Sequence, residues 1–258
     1  MLAIEPHALL AETADGSGTS VDINARRSCV VLRLRLSAIS GTGASLTCYV
    51  ESAPESTGPW LNHGSFSTLS AVGTKDLIVA DTYQYVRVRW TLAGTTPSAT
   101  FRINGSAHTL YATPSDVTDL ALPADSINSV PAPVKALACL SATDEAATYL
   151  AGRFTLPITE WTTDLTMHVA MMAGYQIMKR RGFQPQGFDE LIVKGRDDAI
   201  AYLKMIAANK LYPPGFVDSM GTDVGTNDAF VIENPVSQWD VYSGPIDYST
   251  FGDPLTRG

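Results

Sequence analysis

The sequence predicts an α+β protein: an antiparallel β-sandwich over residues 1–110, a small helical domain of about four helices over residues 111–212, and an extended C-terminal arm over residues 213–258. Three observations carry this. Apolar and polar residues alternate at period two through much of the first hundred residues, the period of a half-buried strand. From Thr113 the apolar spacing widens to that of a helix, with capping residues at the starts and glycine or proline at the ends. Past Pro213, glycine and proline recur among spaced aromatics with no sustained period.

In the first part, Val30, Leu32, Leu34 and Leu36 share one strand face while Arg33 and Arg35 point the other way. Leu46, Cys48 and Val50 alternate with Thr47, Tyr49 and Glu51. Val86, Val88, Trp90 and Leu92 repeat the pattern, with Arg87 and Arg89 on the opposite face. Residues 77–80 and 100–103 are further strand candidates. Turn-rich pieces at 15–20, 40–43, 54–59 and 93–98 punctuate them, and several short strands so punctuated suit a small sandwich. Arg33, Arg35, Arg87 and Arg89 admit two readings: a solvated sheet face that discourages aggregation, or a contact with another subunit or with packaged DNA.

Thr113-Pro114-Ser115-Asp116 sets an N-cap, a proline at the first helical position and an acid in the first turn, so a short helix runs to about Leu120. A proline-containing loop, 122–133, follows. A second helix is expected over 134–151 with Leu137, Leu140, Ala147 and Leu150 on its apolar stripe and Gly152 as its stop. Asp164 opens a third, to about Arg181, using Leu165, His168, Val169, Met172, Ile177 and Met178; Gly182 ends it. The fourth covers about 188–210, with Leu191, Ile192, Ile200, Leu203, Ile206 and Ala207 inward, closed by Pro213-Pro214.

Hydrophobic residues are 45% of the chain and charged residues 17%, enough for a packed core. No run of 18 apolar residues occurs, and Glu5, Pro6 and His7 argue against a signal peptide. The expected setting is a cytoplasm. Cys29, Cys48 and Cys139 lie far apart without metal spacing and fit reduced, buried thiols. Of the net charge of −8, residues 1–111 contribute nothing, since eight Lys/Arg balance eight Asp/Glu. Residues 213–258 hold seven acids against Arg257 alone, which disfavours sequence-specific DNA binding.

Motifs for chemistry are missing from the sequence. His7, His63, His108 and His168 stand singly, and no G-x-S-x-G, Walker-type or G-x-G-x-x-G pattern occurs. Acid pairs such as Asp144-Glu145 and Asp197-Asp198 fan apart on a helix. The expectation is therefore a protein that is not an enzyme, with no cofactor and no metal. The one basic run, Lys179-Arg180-Arg181, either complements a helix C-terminus or forms an edge between subunits. Phe216, Phe230, Trp239, Tyr242, Tyr248 and Phe251 are expected to dock into another protein surface, or else to fold back on the chain's own domain.

Several ordered motifs carry a resemblance. Tyr111-Ala112-Thr113-Pro114-Ser115-Asp116 leads into the first helix, and Ala146 to Pro157 has the form Ala-x-x-Tyr-Leu-Ala-Gly-Arg-Phe-x-Leu-Pro. Arg180-Arg181-Gly182 ends the third helix. Asp198 to Ile200, Tyr202-Leu203, Ile206-Ala207 and Lys210 mark the last. Over residues 111–214 the chain resembles the Mu-like tailed-phage virion proteins of the head–tail adaptor (head-completion or connector) group. Residues 85–90 and 94–98 are similar to small β-domains of phage virion proteins. The resemblance implies a neck protein of the virion that forms a ring, typically of twelve copies. Such a ring sits on the portal and carries the next head-closure or tail component, with at most non-specific contact to packaged DNA and none to membrane. A tail-completion or decoration role, or a carbohydrate-binding sandwich using Trp60, is the alternative.

Overall fold

The computed structural model describes residues 1–23, 28–182 and 188–217, with the side chains of Arg181, Phe188 and Asp189 excluded. It is α+β, as expected: an N-terminal antiparallel sheet of seven strands precedes five helices among the described residues.

The sheet is built on two long strands, β4 (Ser28–Ala53) and β7 (Tyr85–Thr109), paired antiparallel from Ser28↔Thr109 to Ala53↔Tyr85. The separate strands expected at 30–36 and 46–50 are one strand, as are those at 84–92 and 100–103. The turn-rich residues between them bend the ribbon without ending it. Register shifts lie between Leu36 and Ser45, and Gly41, Gly43, Gly94 and Thr96 take positive φ there. At Gly94 a side chain has no room, because a Cβ would lie 2.9 Å from Ala44 Cα and from Thr42 O.

The bend makes two facing layers. Trp90 and Phe101 are eleven residues apart on β7, roughly 36 Å along a straight strand, yet their ring centroids lie 5.5 Å apart. His7 fills the gap, stacked 4.2 Å from Phe101 and edge-on 4.6 Å from Trp90. One layer joins β6 (Gly73–Thr82) and β1 (Leu2–Glu12) to the first half of β4 and the second half of β7. The other joins β5 (Leu61–Ser65) and the two-residue strands β2 (Gly16–Ser17) and β3 (Val21–Asp22) to the remaining halves. Val30, Leu32, Leu34 and Leu36 thus meet Cys48, Val50, Val86, Val88 and Trp90 in one buried cluster.

A second cluster begins at Leu110 and runs through the helices. Helix α1 (Pro114–Leu120) has the expected start: Thr113 Oγ1 accepts from Asp116 N, and Asp116 Oδ2 accepts from Thr113 N at 2.8 Å. The proline loop contains a single turn, α2 (Ala124–Ile127). Helices α3 (Ala132–Leu150), α4 (Thr163–Arg181) and α5 (Phe188–Ala207) follow. Of the expected α3 stripe, Leu140 and Leu150 are buried and Leu137 and Ala147 half-buried; the small residues Ala136, Cys139, Ala142, Thr143 and Ala146 fill the rest of the buried face. Leu191 and Ala207, expected inward on α5, are exposed, and Ala199 takes the inward place. Gly152 keeps an ordinary backbone; α3 ends instead in a turn through Ala151 to Phe154.

The two parts share a boundary with no spacer. Cys29 of β4 belongs to the helical cluster, with Val31, Ile78 and Ala80 packed against it. Thus α3 covers one end of a sheet face whose other end carries Arg33 and Arg35. Tyr111 sits just past β7, fully buried. Its backbone N–H donates to Thr143 Oγ1 at 3.2 Å, and its hydroxyl accepts from Ile158 N at 3.2 Å. No helix among the described residues is long and apolar enough to cross a membrane.

Candidate interaction surface

Three of the four strand arginines, Arg33, Arg87 and Arg89, are held in ion pairs. Arg33 donates to both oxygens of Asp76 at 2.7 and 3.0 Å across the β4–β6 ladder. Arg35 is exposed and faces Arg102 of β7, which in turn pairs with Glu5 at 2.6 Å. On the other layer, Glu51 is nearly buried and receives Arg87 Nε at 2.9 Å on one oxygen and Arg89 Nε at 2.8 Å on the other. The Arg87 guanidinium lies 4.1 Å over the Trp60 ring and that of Arg89 lies 4.3 Å over Tyr49. Burial alone raises the Glu51 carboxyl; the hydrogen bonds and charges of Arg89 and Arg87 outweigh it and hold the group below its ordinary value. Trp60, the one tryptophan suggestive of carbohydrate, is half-buried with one face covered by Arg87, and Trp90 is core.

Two Ser–His contacts are structural in geometry. Ser52 Oγ lies 2.7 Å from His63 Nε2, but Ser52 is fully buried and also accepts from Tyr83 N at 2.9 Å. Ser106 and His108 are 2.9 Å apart on one strand. Burial pushes His63, His108 and His168 down. It pushes the Cys29 and Cys48 thiols up to about 12, and Cys139 also up. Among the described residues, no group of three or more His, Cys, Asp or Glu side chains is placed to hold a metal ion.

In the helical part, the motif at residues 146–157 proves to be a clasp. Arg153 follows α3 and donates to the carbonyls of Leu211 at 2.8 Å and Ile206 at 3.3 Å, at the C-terminal end of α5. A cation there complements the helix macrodipole, and its guanidinium lies 4.2 Å over Tyr212. Phe154 meets Phe216 with centroids 5.7 Å apart. Phe216, expected among the docking aromatics, is fully buried in this core, and Val217 pairs with Glu160. For Phe216 the fold-back reading therefore holds. Phe230, Trp239, Tyr242, Tyr248 and Phe251 lie outside the described residues.

Helix α4 carries a concavity at each end. At its N-terminal end a cavity of about 460 Å³ is lined by Asp116, Asp119, Glu160, Trp161, Thr163 and Thr166. Trp161 donates its indole N–H to Thr166 Oγ1 at 3.0 Å and packs edge-on against Tyr111, so its ring is a fixed wall. At the C-terminal end a cavity of about 440 Å³ is lined by Glu145, Tyr175, Gln176, Lys179, Arg180 and Arg196. Here Arg196 is committed: it lies 4.8 Å over Tyr175 and pairs with Glu145 at 3.6 Å and Asp197 at 3.4 Å. Lys179 and Arg180 are exposed. Two residues of the expected basic edge, Lys179 and Arg180, are thus at the surface, the Arg181 side chain lying outside the described ones; the acidic cavity was not anticipated. Its signal was present in Asp116 and Asp119, three apart on one short helix and hence on one face.

Residues 110–219 match the protein-family model described as Bacteriophage Mu, Gp36. The matched span is the helical cluster, from Leu110 through Phe216, and it supports a Mu-like phage virion protein. The β-layers lie outside the Gp36-like span. No curated protein matches the chain.

Proposed function

We propose that the chain is a structural head-to-tail adaptor of a tailed bacteriophage. It forms a ring, of twelve copies as the resemblance implies, that binds the portal and links it to closure or tail components at the virion neck. The observation that carries this is the match of residues 110–219, the span that holds the described helices, to the Gp36 family. The unit suits the role because Tyr111, Arg153, Phe154 and Phe216 tie its segments into one core, leaving the polar surface to interact. In this reading there is no catalytic step and no cofactor. Function is geometric: a heterologous contact that closes on itself makes a ring. Lys179, Arg180 and Arg181 belong to a subunit edge, and Phe230, Trp239, Tyr242, Tyr248 and Phe251 supply portal contacts. The ion-paired Arg33, Arg87 and Arg89 keep any DNA contact non-specific.

The test is to mix the purified protein with portal rings of the same phage and measure mass and copy number by native mass spectrometry. A stoichiometric ring on the portal is expected. Absence of association, with the protein found on capsid or tail surfaces instead, refutes the adaptor role and points to decoration or tail completion.

A further inference from the structure

Helix α4 separates two concave surfaces of opposite charge. Its nineteen residues place Thr163 and Thr166 roughly 22 Å along the axis from Lys179 and Arg180. At about 100° per residue, the two lining sets also lie roughly 140° apart around the axis. The acidic cavity and the basic one therefore open on different sides and at different ends of the unit.

Neither end exhausts its charge locally. Asp116 serves as the α1 cap, but Asp119 and Glu160 are exposed, and neither pairs with a cation among the described residues. At the other end Arg196 is absorbed by Glu145, Asp197 and Tyr175. Lys179 and Arg180 project from the last turn with no acid paired to them among the described residues. The acidic cavity has an aromatic wall, Trp161, beside its carboxylates. A guanidinium is suited to such a site, since it takes carboxylate hydrogen bonds at its edge and stacks on a ring with its face.

We propose that the acidic cavity, Asp119, Glu160 and Trp161, receives Lys179 and Arg180 of a second copy of this chain. The occupant follows from charge. The chain carries a net −8, so an approaching copy is repelled except where its basic end meets an acidic recess. Like ends repel, and because the two surfaces open on different sides of α4 one two-fold contact does not engage both acid–base pairs, so the contact is head-to-tail. The inference rests on the ring reading and deepens it by naming the faces that meet.

The test uses two full-length variants, Asp119→Lys with Glu160→Lys, and Lys179→Glu with Arg180→Glu. All four residues are exposed, and circular dichroism checks that each variant is folded. Self-association is followed by analytical ultracentrifugation and native mass spectrometry over a concentration series. Each variant alone is expected to associate about tenfold or more weakly than wild type. Mixed in equal amounts, the two restore assembly, because reversed acid ends meet reversed basic ends; mass spectrometry then shows the two variants alternating. Wild-type assembly that survives in both single variants overturns the interface and leaves the ring reading intact. Weakened variants that fail to rescue one another also overturn the pairing. A wild type that stays monomeric throughout overturns the contact, while the portal experiment still judges the adaptor role separately.

Discussion

Replacing Glu51 by Gln tests what holds the outer face of the second β-layer. The carboxylate accepts from Arg87 and Arg89 on separate oxygens at 2.9 and 2.8 Å, with its side chain 9% exposed. Glutamine keeps the shape but offers one acceptor, and its NH2 faces a second cation. Charge-assisted hydrogen bonds contribute about 1.5–3 kcal/mol each. The arginines, 24% and 40% exposed, recover part of that loss from water, so the substitution should cost about 2 kcal/mol. In a chain of this size that lowers Tm by roughly 4–8 °C. The folded carboxyl lies below its ordinary value, so its contribution is complete above the unfolded value near 4.3. It is lost as pH falls through the lower folded value. Thermal melts of wild type and variant should therefore differ at pH 7 and converge in acid. A difference below about 0.5 kcal/mol at pH 7, or one that grows in acid, would refute the reasoning.

Three further outcomes follow from burial. Phe216→Ala should destabilise by about 3–5 kcal/mol in chemical denaturation, the cost of an emptied core site; an unchanged midpoint would return Phe216 to the docking surface. Gly105→Ala should cost about 3 kcal/mol or prevent folding, because its Cβ would lie 1.9 Å from Val31 O on the neighbouring strand; a soluble variant of wild-type Tm would contradict the register. Cys29, Cys48 and Cys139 are fully buried with thiols pushed up, so native protein should not react with a thiol-specific disulfide reagent at pH 8, and denatured protein should react at all three; fast native labelling would contradict their packing.

The helical starts were legible because capping is local: Thr113, Pro114 and Asp116 act within four residues, and the box forms as expected. The alternation in β4 and β7 was legible too, but glycine and proline at 40–43 and 93–98 looked like chain reversals. Local turn chemistry cannot tell a hairpin from a bend whose hydrogen bonds continue on the partner strand. The stripe of α3 was legible at Leu140 and Leu150 but incomplete, because alanine, cysteine and threonine bury well against close-packed neighbours yet carry little apolar weight in the sequence. Strand β1 escaped notice since two register shifts break its alternation, and Pro6 sits within it, as an edge strand allows. Of the acidic cavity only Asp116 and Asp119 were within local reading; Glu160, before α4, joins them once α1 and the start of α4 pack.

The long strands have a mechanical consequence. In a sandwich of separate sheets, the two sheets slide or peel apart across a side-chain interface. Here β4 and β7 run through both layers, so the layers are tied along one edge by continuous backbone and cannot slide past one another or part except by opening at the bend. Tension entering the helical unit at Leu110 passes straight into β7, and Cys29 at the start of β4 is packed against that same unit. A pull on the helices therefore enters β4 and β7 at the same end of their ladder and is divided between two strands instead of being carried by one.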